Sequence, residues 1–230
     1  MFRWMIGVCF MMAGAGAFAA GAGTVTHLSG TLSAQRADGS VRILSQKSEV
    51  QNGDTLTTQR ESFAQINFTD GSSVTLRPNS VMKIERYSFE EKKPQADGIV
   101  IRILRGGLRS VTGLIGKRGN QDAYRIQTTT ATIGIRGSSG DTLDCMQGCP
   151  GVTSKSGNLP PGVYHATHTG TYIMQTSGGA ILIREKEFGF SNDPKKPPSK
   201  LPKDPGLGIE ELPFALGVGG SGAAEECVVK

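Results

Sequence analysis

Ile99, Ile101 and Ile103 alternate with Val100, Arg102 and Leu104, the period of a strand whose one face is more deeply buried. Gly106-Gly107 interrupts that run, Leu108 to Ile115 resumes it, and Gly116-Lys117-Arg118-Gly119-Asn120 makes a polar loop. Further on, Tyr124 and Ile126 are apolar on one parity, whereas Ala131, Ile133 and Ile135 are apolar on the other. One flat strand cannot hold both sets, because a one-residue slip turns every side chain to the opposite face. The pattern therefore predicts a bulge or sharp corner at Thr128-Thr129-Thr130, carrying the chain from one β-layer to the next. Ile126 and Ile133 are then both buried despite their opposite parity. Gly134 and Gly137 leave room for close backbone approach beside the corner.

The rest of the chain up to Phe190 reads in the same period. Thr24 to Ala34, Val41 to Ile43, Thr55 to Thr57, Ala64 to Phe68, Val74 to Leu76 and Val81 to Phe89 are strand-like runs. Between them stand turn signals: Ala37-Asp38-Gly39-Ser40, Asn52-Gly53-Asp54, Asp70-Gly71-Ser72 and Arg77-Pro78-Asn79-Ser80. In the last, the proline ends pairing and bends the chain. Glu90 to Gly98 is a charged, proline-containing loop. Residues 30–44 echo 170–184: Gly30, Thr31, Gln35, Gly39 and Ile43 meet Gly170, Thr171, Gln175, Gly179 and Ile183. These patterns predict an all-β fold of many short strands in a layered β-roll, sandwich or short solenoid-like domain over residues 23–190.

From Ser191 the character changes. Ser191 to Pro205 holds five prolines and four lysines in 15 residues, a composition that favours extended, disordered chain. Ile209 to Phe214 is mildly apolar and Gly217 to Gly222 is a flexible glycine run. Residues 191–230 are therefore expected to be a disordered Pro/Lys-rich and Gly-rich tail, a linker plus a short peptide able to wrap onto the domain.

At the other end, residues 1–19 read as a signal peptide. Arg3 is the basic n-region, Met5 to Ala17 is apolar, and Ala17-Phe18-Ala19 is a small-x-small cleavage pattern. The apolar run falls short of the roughly 20 residues a membrane span needs. Cys9 lies mid-run, outside any lipobox. The expected product begins near Ala20, soluble, periplasmic or secreted, with no stable membrane span. Loss of Arg3 lowers the formal charge from +5 to +4. A leader starting at Met1 leaves nothing cytoplasmic ahead of it, so direct sigma-factor control by this chain is not expected.

Export changes the reading of the cysteines. Cys145 and Cys149, in Asp-Cys-Met-Gln-Gly-Cys-Pro, are the natural disulfide pair in an oxidising compartment, with redox-active and metal-binding roles as the alternatives. A ring that small contributes roughly 2 kcal/mol; it would pin the loop from Ser138 to Pro161. Cys227 is left without an assigned partner. His165 and His168 are three apart, so a strand would point them to opposite faces, away from a shared metal ion. Gly217 to Gly222 fits a dinucleotide-loop spacing but neither follows a strand nor opens a helix. Gly113 to Arg118 resembles a phosphate loop only in passing, with Val111 where the first glycine belongs. The acid pairs Glu90-Glu91, Glu210-Glu211 and Glu225-Glu226 fall in polar stretches without an apolar pocket signal. No catalytic residue, metal ligand or cofactor is indicated.

Arg102, Arg105, Arg109, Lys117, Arg118 and Arg125 give the central stretch a basic surface, suited to anionic lipid headgroups, peptidoglycan carboxylates or an acidic partner patch, or serving as edge protection. Nucleic acid is not expected, because export removes the chain from it and no aromatic platform interleaves the charges.

LRGGLRSVTGLIGKR followed by YRIQTTTATIGIRGS resembles the hallmark segment of FecR-type periplasmic domains, and the likeness extends more loosely from Gly23 to Phe190. The resemblance implies an extracytoplasmic β-module without catalytic residues; some such modules belong to regulators of iron-uptake signalling. Thr129 stands where the family often has proline and Ser138 where it has threonine, both departures touching corner geometry alone. The expected function is a non-enzymatic binding or scaffolding module of the bacterial cell envelope, with an envelope protein or glycan as partner. The alternatives are an extracytoplasmic signalling component and an envelope enzyme acting on glycan.

Overall fold

The computed structural model describes residues 21–118, 120, 122–149 and 159–207. The leader, Cys227 and the glycine run at 217–222 lie outside them. In chain order the strands are β1 (Gly23–Ser29), β2 (Leu32–Gln35), β3 (Val41–Leu44), β4 (Glu49–Val50), β5 (Thr55–Thr58), β6 (Phe63–Phe68), β7 (Ser73–Leu76) and β8 (Val81–Ser88). A 3-10 turn, Pro94–Ala96, then precedes β9 (Gly98–Val111), β10 (Tyr124–Gln127) and β11 (Thr132–Asp144). They are followed by β12 (Val163–Thr176), β13 (Gly179–Arg184), β14 (Phe188–Ser191) and β15 (Ser199–Leu201).

Glycines and serines bend this sheet along a line. Gly30, Gly106 and Gly170 all have positive φ (80°, 79° and 74°), a region where a side chain is strained. A Cβ on any of them would stand 2.3–2.4 Å from a serine Oγ: that of Ser62, Ser80 or Ser138. The next backbone N–H donates to the same hydroxyl: Thr31 to Ser62, Gly107 to Ser80 and Thr171 to Ser138, each at 2.9 Å. Each serine follows a residue that also has positive φ: Glu61, Asn79 or Gly137. Two of the bends extend to a third strand, since Ser80 N donates to Thr58 Oγ1 at 3.0 Å and Ser138 N to Thr112 Oγ1 at 2.8 Å. The hydroxyls thus satisfy the backbone groups that a bent ladder frees.

Folding along that line makes two layers. In one, neighbouring strands run β4-β1-β6-β7-β9-β11-β12-β14-β15; in the other they run β3-β2-β5-β8-β9-β10-β11-β12-β13. Among the strands of the described residues, only β9 and β10 pair in parallel. The long strands β9, β11 and β12 belong to both layers, and burial changes parity where each bends. Ile99, Ile101 and Ile103 are buried before Gly106-Gly107, Leu108 and Ser110 after it. One core lies between the layers, with Val25, Ile66, Val74 and Leu108 from the first and Leu56, Ile84, Ile101, Ile133 and Met174 from the second. Burying each such side chain contributes about 1.5–3 kcal/mol. The all-β, layered architecture is therefore the one the alternation predicts.

The corner expected at the threonines is instead a hairpin. β10 turns back antiparallel onto β11, with Ile126 opposite Ile133. Both isoleucines are fully buried, because directly opposed residues face the same side of a sheet. Thr128 closes the turn: its N–H and hydroxyl donate to the Ala131 carbonyl, and Ala131 N–H donates to the hydroxyl in return. The parity flip comes from the loop, and the crossing between layers takes place at Gly106, Gly137 and Gly170.

The echo of 30–44 in 170–184 has a structural counterpart. Gly30 and Gly170 both occupy bends, and β2–β3 and β12–β13 are both edge hairpins of the second layer. Their loops differ, 36–40 against 177–178.

β11 continues to Asp144, between β9 and β12, so the expected loop from Ser138 begins only at Cys145. Cys145 and Cys149 are joined by a disulfide across 4.7 Å between Cα atoms. Cys145 belongs to a second, smaller cluster on the outer side of the first layer, with Leu143, Tyr164, Ala166 and Leu207. Chain beyond Ser191 supplies part of that cover. β15 adds to β14, Pro194 and Lys196 carbonyls accept hydrogen bonds from Ser177 and Thr176, and Leu207 is fully buried.

Candidate functional site

The outer side of the second layer is an open sheet face. Its residues are those of opposite parity to the core: Lys83 and Glu85 on β8, Arg102 on β9, Arg125 and Gln127 on β10, Thr132 and Arg136 on β11, Thr171 and Gln175 on β12, Arg184 on β13. Arg102 stands beside Gln127 across the parallel β9–β10 ladder. Arg102 Nε donates to Glu85 Oε1 at 2.8 Å, and Lys83 Nζ lies 3.1 Å from Glu85 Oε2. Those two cations hold the Glu85 carboxyl below the usual range. Arg125 Nη2 reaches Asp122 only at 3.9 Å, both side chains being exposed. Among the described residues six cations (Lys83, Arg86, Arg102, Arg125, Arg136, Arg184) face two carboxylates (Glu85, Asp122), so the face is basic.

A groove of about 630 Å³ lies on this face, lined by Arg102, Arg125, Gln127, Thr132, Ile173 and Gln175 together with Thr128–Thr130. Gly134 is its floor; a Cβ there would meet Ile173 Cγ2 at 2.7 Å. The lining is mainly hydroxyl, amide and guanidinium. Gln127 Oε1 is buried without a hydrogen-bond partner among the described residues, an acceptor open to an O–H or N–H donor.

The six basic residues singled out by sequence do not form one surface. Arg102 and Arg125 share the groove. Arg105 donates to the Asn79 carbonyl at the bend. Arg118 ties down the charged loop, with Nε on Asp97 at 3.1 Å and its other nitrogens on the Glu90 and Glu91 carbonyls. Its guanidinium also lies 4.9 Å over the Phe89 ring. Lys117 occupies the same turn. Of the turn's amides, Leu114 N–H donates to the Asp70 carbonyl and Ile115 N–H to its carboxylate, so the passing likeness to a phosphate loop leads nowhere.

Arg109 lies on the other layer, bidentate on Asp141 at 2.8 Å for both contacts. Asp141 also accepts from His168 Nε2 at 2.8 Å and has Arg77 at 3.7 Å. Burial alone would raise its pKa, but the Arg109 and His168 hydrogen bonds and the Arg77 charge outweigh burial and hold it at about 2. His165 points the other way, into the core, against Thr142 Oγ1 and the Tyr172 ring. The two histidines therefore occupy opposite faces. Sequence reasoning missed Arg77, Asp141, Arg136 and Arg184. The first two meet across 64 positions of chain, a pairing no local pattern encodes.

Residues 54–146 match the family described as FecR protein. The matched stretch runs from the turn before β5 through β11 to the disulfide loop, and includes the bends at Ser80, Gly106 and Ser138. Over residues 54–146 the chain is similar to FecR proteins. Among solved structures, two crystal structures of a proposed anti-sigma factor from Parabacteroides distasonis are similar. Identity is 14% in each, over 66% of this chain and 60% of that one, with TM-scores of 0.46 and 0.45. The chain thus spans less than two thirds of those proteins' length. A chain described as a cell surface anchoring domain is 28% identical over 26% of this chain and 80% of its own, with a TM-score of 0.26. No curated protein matches the chain. Among the described residues, no helix is long and apolar enough to cross a membrane.

Proposed function

We propose that this chain is an exported, non-enzymatic binding module of the cell envelope, holding an acidic glycan of the wall against the basic face of its second layer. The observation that carries it is the groove beside Arg102 and Arg125, where guanidinium, hydroxyl and amide groups converge on an open sheet face. Carboxylate-bearing sugars match that lining in charge and in hydrogen-bonding capacity. The leader expected over residues 1–19 would deliver the chain to such a polymer.

Purified peptidoglycan sacculi should sediment the full chain without release of soluble fragments. Arg125→Glu with Arg136→Glu should weaken retention by roughly tenfold, and added salt should weaken the unchanged chain as well. Failure to bind, retention indifferent to the double charge reversal, or release of soluble fragments would overturn the reading. The FecR-like segment favours a second reading, a component of an extracytoplasmic signalling or regulatory system whose acidic partner is a protein. Cross-linking from the same face to an envelope protein, with no retention on sacculi, would select it.

A further inference from the structure

On the outer side of the first layer, positive charge exceeds what the described residues around it neutralise. Arg77 is only 7% exposed. Its Nη2 donates to the Leu207 carbonyl, and its nearest carboxylate, Asp141, stands 3.7 Å away. Both Asp141 oxygens are already engaged by Arg109, and one of them by His168 as well. Arg77 Nε is buried with no hydrogen-bond partner among the described residues. One carboxylate thus serves two guanidiniums, and the second leans on a neutral backbone carbonyl. A buried cation normally pairs with an anion, since desolvation without pairing is costly.

Next to this guanidinium is an apolar pocket. The Leu207 side chain is fully buried with Leu143, Cys145, Tyr164 and Ala166. Asp204 Oδ1 accepts from Gly206 N–H at 2.8 Å and Leu207 N–H at 3.3 Å, a turn that presents the leucine to its pocket. An apolar pocket for one side chain, with a guanidinium donating at that residue's carbonyl oxygen, is an arrangement that suits a peptide's last residue, because Arg pairs well with a carboxylate.

We infer that this is a binding site for a peptide that ends in leucine or a similar apolar residue with a free carboxylate, and that Leu207 fills it in cis. The resident leucine supplies the side chain but only a neutral carbonyl, where an incoming terminus brings two charged oxygens to Arg77. The inference stands apart from the basic face of the other layer and shares no residue with it.

The full chain carrying Leu207→Ser leaves Arg77 intact and vacates the pocket. Calorimetric titration with acetyl-Lys-Asp-Pro-Gly-Leu should show binding, tighter than to the unchanged chain, whose own leucine competes. The same peptide with an amidated end should bind at least roughly tenfold more weakly, and adding Arg77→Gln should erase that difference. Equal affinity for acid and amide, or no binding by a Leu207→Ser chain that keeps its far-ultraviolet spectrum, would overturn the inference. Should that variant fail to fold, hydrogen exchange of the unchanged chain decides. Excess acid peptide should speed exchange at Leu201–Leu207 and the amide should not; identical exchange with both overturns it.

Discussion

His165 is fully buried, its ring 4.1 Å from that of Tyr172 and its Nδ1 2.9 Å from Thr142 Oγ1. Burial pushes its pKa down to about 3 from an ordinary 6.5. As pH falls from about 6.5 towards 3, the unfolded chain takes up a proton that the folded one refuses. Stability then falls by about 1.4 kcal/mol per pH unit. Asp141 acts in the same direction over a lower window: its contribution is complete above pH 3.8 and is lost as pH falls towards 2. Urea melts at pH 7, 6, 5 and 4 should show the steady loss in the unchanged chain and a nearly flat response in His165→Gln. A flat response in both would mean that His165 is not desolvated. At the bends, Ser138 Oγ accepts from Thr171 N–H and donates to a backbone carbonyl. Ser138→Ala orphans the amide and should cost about 1–3 kcal/mol in denaturant unfolding; a neutral variant would remove the serine from the bend's construction. Ser138→Thr should cost less if the hydroxyl is the group the bend needs.

The hairpin β10–β11 makes the parity flip at Thr128–Thr130 intelligible, and shows where sequence reading stops. Alternation revealed that Ile126 and Ile133 are both buried, and the structure agrees, but two geometries produce that pattern. A corner between layers and a tight reversal with opposed partners both flip the parity, and only the pairing partner tells them apart. Ile126→Ala and Ile133→Ala should each cost about 2–5 kcal/mol through lost transfer energy and residual cavity. Because the two residues are directly opposed within one core, the double variant should cost less than the sum of the singles. Strict additivity would contradict the hairpin register. The true bends were half legible. Gly106-Gly107 was visible as an interruption, yet the serine that receives the next N–H lies 27 residues back in one case and 33 in another. Turn glycines such as Gly39, Gly53 and Gly71 were easier, because their cause is local: positive φ within a two-sided strand pattern.

At the scale of the molecule, composition predicted a disordered tail from Ser191, whereas the chain is paired and packed as far as Leu207. Residues 192–198 lie over the β12–β13 turn, β15 lines up with β14, and Leu207 ends in an apolar pocket. Proline-rich chain loses little entropy on docking in an extended form, so few contacts suffice. The basic surface was legible in number but not in place. Two of the six predicted residues line the groove, and Lys83, Arg136 and Arg184 share its sheet face, outside the groove, because parity and register put them on that side. If this face holds the wall polymer, protection must follow it. Hydrogen–deuterium exchange of the full chain, with and without purified sacculi, is the most direct measurement. Exchange should slow in peptides covering Arg102, Arg125–Thr132 and Ile173–Ser177, with Leu201–Leu207 and the Asp38–Ser40 turn unchanged. Slowing confined to the outer side of the first layer, or none in the groove while the chain remains bound, would contradict it.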